Sequence, residues 1–155
     1  RLAKANRNYA VAYVRNGLVA LAQVLGALRA EELGKRAARL TGLQHYPVMA
    51  KQIGGVDGDV IDAAQFLQAM MVGMGDKVVL TKAEDGSIRC TQSSLRVVRG
   101  LESATRQSVL ACWIELWRGA VHSHRLFIDA QGEMTTDDTL TWTIMRQDPA
   151  NRNAI

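Results

Sequence analysis

A chain of 155 residues, 48% hydrophobic and with only two prolines, can bury one substantial core and does not have the composition of an extended disordered segment. Its formal charge of +4 is uneven: residues 1–55 carry nine Lys or Arg against Glu31 and Glu32, whereas the remainder has ten basic and thirteen acidic residues. No nucleic-acid motif accompanies the basic residues, and the apolar run Gly17 to Leu28 is interrupted by Gln23 and shorter than the ~20 residues a bilayer crossing needs. Neither nucleic acid nor membrane is therefore an expected partner.

In chain order, residues 2–28 repeat Tyr9, Ala10, Tyr13, Val14, Leu18, Leu21, Val24, Leu25 and Leu28 near helical spacing, which predicts a long buried helix. A second helix is expected from about Ala30, with Glu31 and Glu32 at the positive end of its dipole and Leu33, Ala37, Leu40 and Leu43 facing inward. Pro47 lacks an amide hydrogen and restricts Tyr46, so a kink or division is expected before Val48. The stretch Gly54-Gly55-Val56-Asp57-Gly58 reads as a break, followed by an Asp59-capped helix carrying Phe66, Leu67, Met70 and Met71.

After Gly75 the period shortens. Lys77 to Lys82 and Ser87 to Gln92 read as a hairpin turning at Asp85-Gly86. Residues 102–121 return to helix, with Val109, Cys112, Trp113, Leu116 and Ala120 on one face. Leu126 to Asp129 and Thr139 to Arg146 are the last strand candidates, with Gln131-Gly132-Glu133 as the turn between them. The expected architecture is α+β: a helical N-terminal half packed on a small antiparallel sheet. It occupies one domain over 1–147, followed by a tail over 148–155. With no signal-peptide pattern at Arg1, a cytoplasmic location is the expectation.

Chemical motifs are sparse. The GxSxG, GxxxxGK[ST] and GxGxxG signatures are absent, and His45, His122 and His124 show no HxxxH spacing, so neither metal nor cofactor is expected. Cys90 and Cys112 are too few for a disulfide framework. Helical geometry removes Glu115 from the apolar sector of Cys112 and groups it with His122 as a polar surface pair.

Several stretches together resemble the L-2-amino-thiazoline-4-carboxylic acid hydrolase-like family and, more distantly, the vinyl-reductase-associated small-molecule-binding domains. They are Glu32-Leu33-Gly34-Lys35-Arg36-Ala37-Ala38-Arg39, the Asp85-Gly86 hairpin leading to Arg89-Cys90, the helix around Cys112, and Asp137-Asp138-Thr139-Leu140-Thr141-Trp142-Thr143-Ile144. The resemblance spans roughly residues 30–146. It implies hydrolysis of a carbon–nitrogen bond in a small cyclic substrate, with Cys90 matching the cysteine after the hairpin and Leu140 standing where the terminal strand can carry another.

On that basis Cys90 is the candidate nucleophile, His45 the candidate proton carrier, and Tyr46, Trp142, Met70 and Trp113 the candidate substrate-binding residues. Two other readings stand beside hydrolase. Met70, Met71, Trp113, Trp117 and Trp142 would also suit a noncatalytic small-molecule-binding module. An N-terminal helix left exposed would suit a homodimeric interaction protein.

Overall fold

The structure, a computed structural model, describes residues 2–52, 59–124, 128–136 and 138–147, with side chains from Asn8 onward. The elements are α1 (Leu2–Leu25), α2 (Ala27–Gln52), α3 (Val60–Met74), β1 (Lys77–Lys82), β2 (Ile88–Ser93), a short 3-10 turn (Arg96–Val98), α4 (Ser103–His122), β3 (Ile128–Thr136) and β4 (Thr139–Arg146). This is the expected α+β class. The glycine-rich break at 54–58 and the tail over 148–155 lie outside the described residues.

The sheet is antiparallel throughout, in the order β1-β2-β4-β3. Alternation along its two central strands assigns the faces. Ile88, Cys90 and Gln92 of β2 and Leu140, Trp142 and Ile144 of β4 are buried, whereas Arg89 and Thr91 are exposed. Helices α3 and α4 supply the apolar partners of the buried face through Ala63, Phe66, Leu67, Met71, Val109, Trp113 and Trp117. The β1–β2 hairpin and β4 fall where their alternation places them.

The turn expected at Gln131-Gly132-Glu133 is instead part of β3, which continues to Thr136 with a register shift between Met134 and Thr136. Gly132 is there for packing rather than turning. It pairs with Trp142, and a Cβ added to it would stand 3.0 Å from two carbons of that indole.

Four helical expectations are corrected. First, α1 stops at Leu25 because Gly26 adopts φ +82, a left-handed geometry that ends one helix and admits the next. Second, α1 is not a buried helix. Val11 and Leu18 are buried, while Tyr9, Tyr13, Val14, Leu21, Val24 and Leu25 are exposed, as is Leu28 beyond its end. Third, α2 runs unbroken through Pro47. The proline leaves the Leu43 carbonyl without its usual i+4 donor, and the Ser123 hydroxyl donates to that oxygen at 3.0 Å. Fourth, the inner face of α2 is not the leucine row.

Ala30, Gly42, Tyr46 and Ala50 are the buried residues of α2, and Leu33 and Leu40 are exposed. Small residues dominate this face because α2 and α4 meet backbone to backbone. A Cβ on Gly42 would collide with the Leu116 carbonyl and the Ala120 nitrogen, and one on Gly119 would collide with the Arg39 backbone.

Helix α3 follows its sequence signals closely. Asp59 caps it in a reciprocal box with Asp62, and Gly75 at φ 94 closes it. Arg146 of β4 reaches the Asp59 carboxylate at 3.1 Å.

Candidate functional site

The candidate catalytic and binding residues are dispersed. Cys90 is fully buried on the helix-covered face of the sheet, paired with Leu80 on one side and Trp142 on the other. Burial pushes its thiol up to about 12, so at neutral pH the nucleophilic thiolate is scarce. His45 is exposed on α2. Tyr46, one residue later, points into the core and meets Phe66 edge to face with ring centroids 4.6 Å apart.

Trp142 is equally enclosed. Its indole N–H donates to Gln92 Oε1 at 2.9 Å, Gln92 Nε2 donates to Asp76 Oδ2 at 2.7 Å, and Asp76 Oδ1 accepts from the Arg96 backbone at 3.0 Å. This buried thread ties the sheet to the 3-10 turn. Burial raises the Asp76 carboxyl against the opposing effect of these hydrogen bonds. Met70 is partly buried against the core.

Among the candidates, Trp113 borders a sizeable concavity. A groove of about 440 Å³ runs between α1, α2 and α4, walled by Tyr13, Val14, Leu18, Leu21, Ala37, Ala38, Trp113 and Leu116. Gly34 and Cys112 meet in the same wall. A Cβ on Gly34 would lie 2.7 Å from the Cys112 sulfur and 2.9 Å from Leu18 Cδ1, so glycine leaves the sulfur its place. Cys112 is itself raised to about 11, first by burial and then by the negative charges of Glu31 and Glu115, which outweigh nearby Lys35. At neutral pH its thiol therefore stays protonated.

Trp113 stacks edge to face on Trp117 at 5.1 Å. Both indole nitrogens are buried with no hydrogen-bond partner among the described residues. The volume lies within the roughly 300–1,000 Å³ usual for small-molecule sites. Cys112, Trp113 and Leu116 on α4, Tyr13, Val14, Leu18 and Leu21 on α1, and Ala37 on α2 were each legible as part of a helical face, but not as walls of one groove. The contribution of α1 and of Gly34 depended on how three helices converge.

A charged network lies behind this groove, along α4. Arg39 donates to Glu115 at 3.1 Å and faces His122 Nδ1 at 3.0 Å, while His122 Nε2 faces Asp129 at 2.8 Å and Arg118 reaches the same carboxylate at 3.1 Å. Because a guanidinium can only donate, these partners assign the proton of the His122 ring to Nε2. Burial would raise the Asp129 carboxyl, but donors from His122 and Arg118 and the Arg118 charge outweigh it and hold the group well below the usual carboxylate range. The Glu115–His122 pair expected on the surface is instead largely enclosed, joined through Arg39 and continued to the sheet. Its members are committed to one another, which suits a clamp between α2, α4 and β3.

Among the described residues no group of three His, Cys, Asp or Glu side chains could hold a metal ion, and no helix is long and apolar enough to cross a membrane.

No protein-family model and no curated protein matches the sequence. Solved structures do match its fold. A trafficking protein particle complex subunit 3 from Naegleria fowleri, covalently bound to palmitic acid, superposes with a TM-score of 0.73 at 11% identity, covering 94% of this chain and 97% of that one. An H-NOX protein from S. oneidensis in its Fe(II)NO ligation state gives 0.56 at 12% identity, covering 84% and 72%. At such identities the likeness is one of fold.

Proposed function

We propose that this protein is a noncatalytic binding module for an apolar, chain-like small molecule held between α1, α2 and α4. The observation that carries the reading is the groove of about 440 Å³, apolar along nearly its whole wall and bordered by Trp113. A ligand with a hydrocarbon body, such as a fatty acid, would bury that body against this wall by the hydrophobic effect. The fold neighbour bound to palmitic acid accords with this ligand class.

The alternative of carbon–nitrogen bond hydrolysis through Cys90 and His45 gains no support from their placement, one enclosed in the core and the other on the surface of α2. Binding of a fluorescent fatty-acid analogue, displaced by palmitic acid, tests the module. Ala38→Trp is expected to fill the groove and weaken binding about tenfold or more. Equal affinity in that variant and the parent, with the fold intact by circular dichroism, would sink the proposal.

A second reading rests on a separate observation. Tyr9, Tyr13, Val24 and Leu28 form an exposed apolar row on and just beyond α1, with Leu33 and Leu40 exposed on α2. Surface of this composition suits a homodimer interface. Light scattering should then give twice the chain mass, and Tyr13→Glu should return the monomer. A concentration-independent monomer would rule the dimer out.

A further inference from the structure

We propose a second binding site, for a phosphate group, in the basin where Arg15 of α1 converges with Arg96 and Arg99 around the 3-10 turn. The basin holds about 250 Å³ and is lined by Asn8, Val11, Ala12 and these three arginines, with no carboxylate in its wall among the described residues. Arg96 donates to the neutral amide oxygen of Asn8 at 2.9 Å. The buried acid Asp76 is turned to Gln92 and the Arg96 backbone nitrogen and offsets part of the charge of Arg96 and Arg99. Three arginines lining one concavity, with the Asp76 carboxylate turned to other partners, leave a net positive potential there.

A phosphate fits this arrangement better than a carboxylate does. Its several oxygens and its double negative charge can engage more than one guanidinium fork, each offering paired N–H donors in a fixed plane. The same flank of α1 continues from Asn8, Val11, Ala12 and Arg15 to Leu18, Val19 and Ala22 at helical spacing. The latter three border an apolar recess with Ala27, Ala30 and Ala104. The phosphate could therefore belong to a soluble phosphate ester or to a lipid headgroup whose chain lies along that recess.

Titration calorimetry at constant ionic strength, with inorganic pyrophosphate and with monomeric dihexanoyl phosphatidic acid as probes, tests the site. Arg15→Gln and Arg99→Gln remove basin charge and leave the Arg96 backbone bond and the fatty-acid groove in place. Saturable binding of either probe is expected, weakened about tenfold in each variant and lost in the double variant. Tighter binding of the phosphatidic acid than of pyrophosphate, with no binding of dihexanoyl phosphatidylcholine, would assign a lipid headgroup. Pyrophosphate binding at equal or greater strength would assign a soluble ester. Failure of the parent to bind either probe, or equal binding by the parent and a folded double variant, overturns the proposal.

Discussion

The α2–α4 seam and the α1 shelf are both helical and both rich in small residues, yet they differ in what a methyl group would meet. At the seam, Gly42 and Gly119 let two backbones touch. On the shelf, a Cβ at Gly17 would meet nothing within 4 Å, although Gly17 borders the groove between α1, α2 and α4. The contrast shows that glycine in a helical pattern carries opposite meanings, set by the neighbour. It also separates the part of the molecule that holds the fold together from the part left open for ligand or partner.

The largest expected effect comes from the seam. Gly42→Ala forces a side chain against main-chain atoms that cannot rotate away, and a loss of about 3 kcal/mol or more is expected in urea unfolding. A loss below that of an ordinary surface substitution would mean that α2 and α4 can separate at little cost.

Cys90→Ser is next, at about 2 kcal/mol, because a hydroxyl would enter an enclosed apolar site. Cys112→Ser should cost less, since that sulfur borders the groove, but it should alter fatty-acid affinity. The resemblance had instead pointed to Cys90 as the reactive thiol. Thermal melting of the two variants, alongside the binding assay, decides the order.

Asp129 sharpens the comparison through pH. Its folded-state acidity is depressed, so its contribution to stability is fully present above the unfolded carboxylate value of about 3.9 and is lost as pH falls below it toward the folded value. Asp129→Asn should cost about 1.5 kcal/mol at neutral pH, where a charge-assisted partner of Arg118 and His122 is lost. It should also flatten the acid limb of the stability profile. An unchanged acid limb would show that the clamp does not hold α4 to β3.

The smallest effect, with the opposite sign, belongs to the shelf. Gly17→Ala should stabilise by about 0.5 to 1 kcal/mol, since it lowers backbone entropy in a helix without any collision. Destabilisation would show that α1 packs against something at that position in solution.

Much of this was legible in the residues themselves. The α+β class, the β1–β2 hairpin, the extent of β4, the Asp59 cap and the α4 face of Cys112 and Trp113 all follow from period, turn chemistry and capping, which act within a few residues. Apolar periodicity also marked α1 as a helix, but it could not say whether its apolar face is covered, because coverage requires a partner distant in the chain. Tertiary structure decided the rest. The contact of Gly42 with α4, the rescue of the Leu43 carbonyl by Ser123 across Pro47, the in-strand place of Gly132 under Trp142, the groove at Gly34 and Cys112, and the meeting of Arg15 with Arg96 and Arg99 each join residues far apart in sequence. Local preferences set most of the helices and strands, though not the strand through Gly132 or the helix through Pro47. Close approach, burial and charge convergence arise only when those segments pack.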